Sequence, residues 1–221
     1  MYLTFLGHAA FLIESERGNF LIDPFITGNP VCRTKIGDLP KIDYIFVTHT
    51  HGDHLGDALD IAKKDNAELV VMNEFSVYLA QKGIKTHGIN FGSFDFPFGK
   101  ARFVQASHSS SLTDGNNIIY TGNPFGVVLH LEKVVYHAGD TGLISDFALL
   151  KDYDIDYALL PCGGNFTMDT EDFIRATGMI GAKKYIPMHY NTFGLVDQSR
   201  YEDMLKKDNI HVMHQGERIK M

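Results

Sequence analysis

The side chains with chemistry to offer are concentrated in Thr48-His49-Thr50-His51-Gly52-Asp53-His54. Three imidazoles and a carboxylate stand at positions 49, 51, 53 and 54. Crowded on one turn they are costly without a cation, and imidazole and carboxylate are natural ligands of divalent metals. His49 and His51, two apart, can point the same way. Asp53 and His54 follow at a bend and can point towards a second ion. The run follows Tyr44-Ile45-Phe46-Val47, which reads as a buried strand. It precedes Leu55, Ala58, Leu59 and Ala62, which share one helical face. The ligands therefore stand where a strand ends and a helix begins, outside a strand's carboxyl end, where sites of layered α/β proteins gather. A surface His-rich loop is the bland alternative, and this spacing after a buried strand weighs against it.

Other candidates stand at the ends of other predicted strands. The segment from Ala101 ends in His108, a third nitrogen for the first metal. Phe125–Leu131 and Val134–His137 predict a hairpin around Glu132-Lys133 that runs into Asp140, flanked by Gly139 and Gly142. A carboxylate there can bridge two cations. Tyr185-Ile186-Pro187-Met188 ends in His189, which completes the second metal. The set is His49, His51 and His108 for one ion, Asp53, His54 and His189 for the other, and Asp140 between them. Two ions on these ligands would share a water and lower its pKa to about 7. Zn²⁺ is favoured, with Mn²⁺ or Fe²⁺ also suited. Asp53 and Asp140 are the candidates for handling the proton. His8, in the turn Gly7-His8-Ala9-Ala10, either faces the site or makes a structural hydrogen bond. Asp23, at a strand end, reads equally as the orienter of a ligand His and as a turn residue. His130 and His137 read as sheet residues, and His87, His211 and His214 lack partner spacing. Cys162 reads as a small buried filler. Gly163-Gly164 resembles an anion-binding turn, a weak signal alone. Asn191 and Phe193 are candidates for substrate contact.

The elements that must position these groups follow from periodicity and turn signals. Residues 2–6, 11–14 and 19–23 predict an antiparallel meander. Pro24 and Pro30 mark a loop, and residues 31–41 read as exposed loop. A strand over 68–72, a helix over 74–82 stopped by Gly83, and strands within 84–90 and 93–96 come next. Residues 109–122, polar and Gly-containing, predict a mobile loop over the site mouth, with a plain hairpin as the alternative. A helix over 143–151, a strand over 157–160, a helix capped by Asp169, a last strand over 185–189, a helix near 199–207 and a segment 210–213 complete the chain.

The 221 residues fit one domain, 1–221, with a sizeable core. With 20 basic and 27 acidic residues the formal charge is −7, which disfavours a broad nucleic-acid-binding face. The expected partner is a small-molecule substrate, and a homo-oligomer is compatible with the sequence. Two distant cysteines indicate no disulfide framework. No apolar run approaches the ~20 residues of a spanning helix, and the first residues lack a basic and apolar leader pattern. A cytoplasmic protein is the expectation.

The H-x-H-x-D-H run at 49–54 resembles the signature of the metallo-β-lactamase superfamily of metal-dependent hydrolases. The resemblance covers nearly the whole chain and implies an α/β, four-layer αβ/βα sandwich: two mixed sheets face to face, helices outside, metals at one edge. Gly7-His8-Ala9-Ala10-Phe11 with Ile22-Asp23-Pro24 resembles the branch of ascorbate-6-phosphate lactonase-type enzymes. That branch strengthens a site role for His8 beside Asp53 and Asp140. No segment resembles a ribonuclease substrate arm or a flavin-binding extension. Three functions stand open: a dinuclear metallohydrolase acting through an activated hydroxide on a small ester or lactone, a phosphodiesterase acting on a nucleotide or short RNA, and a non-catalytic metal-binding or sensor protein.

Overall fold

In the computed structural model, which describes residues 1–194 and 205–221, the apolar runs become strands buried on both faces. The first meander is β1 (Tyr2–Gly7), β2 (Ala10–Ser15) and β3 (Gly18–Ile22), antiparallel throughout. Phe5, Phe11, Ile13, Phe20 and Ile22 point to one side; Leu6, Leu12 and Leu21 point to the other. A strand apolar on both faces needs a cover on each. The parallel strands β4 (Tyr44–Phe46), β5 (Glu68–Met72) and β6 (His87–Ile89) extend the sheet, and β15 (Arg218–Lys220) closes its far edge beside β1.

A second sheet is built from β7 (Gly92–Phe96), β8 (Gly99–Gln105), β11 (Phe125–His130), β12 (Val134–His137), β13 (Tyr157–Pro161) and β14 (Lys184–Met188), in the order β14-β13-β12-β11-β8-β7. β12, β13 and β14 run parallel, so their carboxyl ends open onto one edge. The two sheets meet face to face over one aromatic-rich core holding Phe20, Phe46, Phe98, Phe103 and Phe125. Phe20 and Phe98 meet edge to face at 4.8 Å, and Phe96 stacks on Phe98 at 5.0 Å.

Helices cover the outer faces. α1 (Gly52–Leu55) is a single turn; α2 (Ala58–Asp65) and α3 (Asn73–Gln81) lie on the first sheet through Ala58, Ile61, Phe75 and Leu79. On the second sheet lie α4 (Thr170–Ile180) and a 3₁₀ helix over Ser145–Tyr153, through Phe147, Leu150, Phe173 and Ala176. The order helix, sheet, sheet, helix is the expected αβ/βα sandwich. Asp169 caps α4 by accepting from the Asp172 N–H at 2.9 Å. Among the described residues no helix is long and apolar enough to cross a membrane.

Several expectations need correction. Residues 109–122 are a hairpin, β9 (Ser111–Asp114) with β10 (Asn117–Tyr120), rather than an irregular loop over the site. Asp114 accepts from the Tyr78 hydroxyl at 2.5 Å and lies 3.3 Å from Lys82 Nζ, so α3 holds the ribbon. The helix expected over 143–151 starts at Ser145 and is 3₁₀. Of the expected face, Ala58 is fully buried, but Ile61 is the other fully buried residue of α2, and Leu55, Leu59 and Ala62 are only partly buried. Residues 210–213 contribute one bridge, Tyr185 to Ile210, and the last strand is β15. The helix near 199–207 lies outside the described residues except for its end.

Two outcomes follow from this packing. Phe46→Ala removes a fully buried ring from between the sheets, and should lower unfolding free energy by about 3–5 kcal/mol, read as a lower denaturant midpoint with unchanged slope. Asp156 ties three strands by accepting from the Val134 N–H at 2.8 Å and from Lys183 at 2.8 Å. Burial raises its pKa, but Lys183 and the Val134 N–H outweigh this and hold it below the ordinary value. A depressed carboxylate stabilises above its unfolded pKa of about 3.9 and loses that contribution as pH falls through the folded value. Asp156→Asn should therefore flatten the acid side of a stability–pH profile below about pH 5; an unchanged acid limb would contradict this.

Candidate metal centre

Each chemically apt side chain stands just beyond a strand end at the edge where the two sheets open together. His49 lies three residues past β4, His108 three past β8, Asp140 three past β12, and His189 one past β14. His8 occupies the β1–β2 turn with φ of 60°, and His189 has φ of 57°; its N–H donates to the His8 carbonyl at 2.7 Å. Such backbone is uncommon for residues other than Gly and is held here by that link between the sheets. Gly139, at φ of 62°, brings Asp140 in: a Cβ there would lie 2.8 Å from the Phe125 carbonyl. At Gly163 a Cβ would fall 2.0 Å from the His189 carbonyl, so only glycine lets that loop lie against the histidine.

The donors gather in overlapping groups. His49, His51 and His108 form one, and His51 Nδ1 lies 3.3 Å from His108 Nε2. Asp53, His54 and His189 form another together with His8. Asp140 stands between them: its Oδ2 is 2.9 Å from His189 Nε2, 3.7 Å from His108 Nε2 and 3.9 Å from His49 Nε2, and its Oδ1 is 3.3 Å from His54 Nε2. Every residue read from the sequence as a ligand is thus at one place.

The hydrogen bonds behind these groups assign their tautomers. Asp23, wholly buried, accepts from the Thr48 N–H at 2.8 Å, the Thr48 hydroxyl at 2.7 Å and His54 Nδ1–H at 2.7 Å. The Thr48 hydroxyl, its proton given to Asp23, accepts from His49 Nδ1–H at 3.1 Å. In their neutral forms both histidines therefore present Nε2 lone pairs to the site, and the orienting reading of Asp23 is the one its contacts support. His8 donates Nε2–H to Asp53 Oδ2 at 3.1 Å, because an ionised carboxylate only accepts, and its Nδ1 accepts from the Thr192 hydroxyl at 2.9 Å. His137 is spent elsewhere: Nε2–H donates to the Ala9 carbonyl at 2.9 Å and Nδ1 accepts from the Gly139 N–H at 3.1 Å. His87 pairs with Glu68 and packs on Phe94, and His211 pairs with Glu217. Cys162 is buried, with burial pushing its thiol well above the ordinary value.

Protonation suits metal binding at several of these groups; at His54 burial disfavours the charged form, but Asp140 and Asp23 outweigh it and raise the imidazole well above its usual value, so an incoming cation must displace its proton. Burial lowers His8 to about 4 despite Asp53, and burial with neighbouring imidazoles holds His49 well below its usual value. Burial raises Asp53 and Asp140, but the His8 hydrogen bond and His54 outweigh it at Asp53, and His54 and His189 at Asp140, so both stay ionised. Neutral imidazoles and ionised carboxylates are the ligand-competent forms. The fit to a cation rests on three buried atoms without a hydrogen-bond partner among the described residues: His49 Nε2, His54 Nε2 and Asp140 Oδ1. Once His54 yields its proton, the lone pairs of two imidazoles and a carboxylate aimed inward have no mutual donor, and a metal ion is the species that satisfies all of them.

The centre opens onto a cavity of about 350 Å³. Asp53, His51 and His108 reach it from one side; Gly163, Phe166, Tyr190 and Phe193 form the other wall. Asn191 and Phe193, read from the sequence as substrate contacts, line it, as does the Gly163-Gly164 loop. Of the segment 109–122 only Ser109 lines it; Ser110 and Thr121 are buried, sharing hydrogen bonds with Thr50 at 2.6–3.4 Å that brace the metal loop against the ribbon. Thr48 and Thr192 escaped the sequence reading. Thr48 adjoins His49, but a hydroxyl carries no signal until its partners are known.

An αβ/βα sandwich with these donors at its edge defines a metallo-β-lactamase-type metal centre. A model of the Beta-lactamase superfamily domain matches residues 18–190. The chain is 44% identical to the UPF0173 metal-dependent hydrolase of Heliobacterium modesticaldum, covering 99% of this chain and 97% of that protein. It is likewise 44% identical to one from Bacillus cereus, with 99% of each covered. Among solved structures, Igni18, a metallo hydrolase from the hyperthermophilic archaeon Ignicoccus hospitalis, superposes with a TM-score of 0.87 at 35% identity, covering 99% of this chain and 97% of that one. The isothiocyanate hydrolase from Delia radicum gut bacteria shares the fold at 20% identity and a TM-score of 0.79, with 100% and 99% covered. The chain belongs to the β-lactamase superfamily, in the family of UPF0173 metal-dependent hydrolases.

Asp23→Asn keeps the size of the orienting side chain but removes its charge. Metal affinity should fall about 10–100-fold, measured by competition with a chromophoric chelator. Unchanged affinity would mean that Asp23 serves the strand end alone.

Proposed function

We propose that this centre binds two divalent cations, Zn²⁺ by preference, and hydrolyses a small ester or lactone-type substrate. The observation that carries the reading is the trio of buried, inward-facing, unpartnered atoms, His49 Nε2, His54 Nε2 and Asp140 Oδ1, beside an accessible cavity. His49, His51 and His108 hold one ion, Asp53, His54 and His189 the other, and Asp140 lies within reach of both. When bound, such ions acidify a water and polarise the substrate's carbonyl oxygen.

The remaining tasks fall to the chain itself. Asp53, at the cavity wall and ionised, can take up the proton released on attack and return it to the leaving oxygen. His8 is a positioning residue: its Nε2–H fixes one Asp53 oxygen, and Thr192 fixes the His8 ring. Phe166 and Phe193, 60% and 49% exposed, offer apolar surface at the mouth for the body of a substrate. None of the described residues lining the cavity is Lys or Arg, which supports a neutral carbonyl substrate over a polyanionic one.

Zn²⁺-loaded protein should hydrolyse small lactones or aryl esters in a chelator-sensitive manner, and Asp140→Ala should abolish turnover and lower bound metal. Cleavage confined to a bis-aryl phosphodiester would replace this reading with a phosphodiesterase. Full turnover in Asp140→Ala would remove the two-metal assignment.

A further inference from the structure

A second cavity, of about 260 Å³, lies on the outer face of the second sheet beneath the 3₁₀ helix at 145–153. Arg102 on β8 and Tyr136 on β12 stand in one cross-strand row, both paired with Val128 on the strand between them. This row faces away from the inter-sheet core: Tyr136 packs with Phe147 and Leu150, while the alternate residues Ala101, Phe103 and Val135 point inward. The cavity is therefore separate from the metal centre, which lies beyond the strand ends.

Two side chains of its wall each carry a buried polar atom without a hydrogen-bond partner among the described residues. The Tyr136 hydroxyl sits on a fully buried side chain and has no hydrogen-bond partner among the described residues. Burial pushes its pKa far up, so it is a neutral O–H at any working pH. Its ring fits only because residue 126 is glycine, where a Cβ would lie 2.8 Å from the ring and 3.0 Å from the hydroxyl oxygen. Arg102 Nε is likewise buried without an acceptor, and its guanidinium lies over the Tyr153 ring at 4.8 Å, a stacking that holds the fork in place. Unmade hydrogen bonds from a buried phenol and a buried guanidinium N–H are both costly, and both groups can donate. The rest of the wall is apolar: Phe91 and Leu149 are 40% and 64% exposed at its rim, and Ile144 lies within. Asp146 stands exposed at the rim, already accepting from Ser145.

We propose that this cavity is a second binding site, for a small monocarboxylate with a compact, flat apolar body. Both atoms are closed to solvent as they stand, and a turn of the half-buried Arg102 side chain lets one carboxylate reach Arg102 Nε–H and Tyr136 O–H and neutralise the only formal positive charge among the described residues of the wall. The aromatic and aliphatic rim covers the body. A neutral amide of the same shape fits the apolar wall but gives the guanidinium a weaker acceptor. Asp146 at the entrance repels a dianion more strongly than a monoanion, which favours a single carboxylate.

The probes are benzoate and benzamide, titrated into the metal-loaded protein by calorimetry and by saturation-transfer NMR. Benzoate should bind, benzamide should bind at least about tenfold more weakly, and Arg102→Gln and Tyr136→Phe should each weaken benzoate by about tenfold or more. Neither residue belongs to the metal centre, so chelator-sensitive turnover should be unchanged in both variants. Tyr136→Phe should also keep or raise the melting temperature of the free protein, since it removes a buried group without a partner. Benzoate affinity that is equal in wild type and both variants would place its binding at the metals and overturn the proposal. So would no binding up to about 10 mM, or a Tyr136→Phe protein that melts earlier, because the hydroxyl would then have a partner.

Discussion

A carboxylate with no exposed surface, Asp23, joins the backbone of the metal loop to its histidines. It accepts three hydrogen bonds, from the Thr48 N–H, the Thr48 hydroxyl and His54 Nδ1–H. The last two propagate: Thr48 passes the constraint to His49, and His54 turns its free nitrogen on Asp140. A buried carboxylate is tolerated only where donors surround it. The sequence meets that condition by placing Asp23 at the end of β3, whose parallel neighbour β4 leads directly into the metal loop. Remove the pairing of β3 with β4, and the ligands lose their orientation even if they stay close.

The parallel strands explain why distant segments converge. β3, β4 and β5 run one way in the first sheet, and β12, β13 and β14 run together in the second. The aromatic layer between the sheets fixes how their open edges face, so residues 49, 140 and 189 arrive at one place from chain positions far apart. His8 and His189 then close the gap directly, backbone to backbone and ring to ring at 4.0 Å. Positive φ at both residues is the local cost of that closure.

Charge balance at the centre follows from the same burial. Desolvation alone would neutralise both carboxylates and leave the imidazoles uncharged. Hydrogen bonds and neighbouring charge keep Asp53 and Asp140 ionised while His8 and His49 stay neutral, and Asp140 and Asp23 in turn favour the charged form of His54 until a cation replaces its proton. The result is an anionic pocket with lone pairs pointing inward, set in a protein whose fixed dipoles and hydroxyls have already been used to orient it. The second cavity is the reverse case, with two buried donors that have no acceptor within hydrogen-bond reach among the described residues.

The sequence by itself determined the ligand types and their placement after strands, because His and Asp spacing at 49–54 and apolar runs before His108, Asp140 and His189 are local patterns. It determined the α/β layering through alternating strands and helices, and the cap at Asp169 through short-range chemistry. It did not determine what Asp23, Thr48 and Thr192 do, since each acts through a partner that only folding brings near. Residues 109–122 read as loop because their polar, Gly-containing composition shows no strand periodicity; cross-strand pairing and the Tyr78 and Lys82 contacts with Asp114 made them a ribbon. Arg102 and Tyr136 are two unremarked strand residues in the sequence, and become neighbours of one cavity only when β8 and β12 flank β11. Hydrogen-bond complementarity across sheets is long-range, and tertiary structure alone decides it.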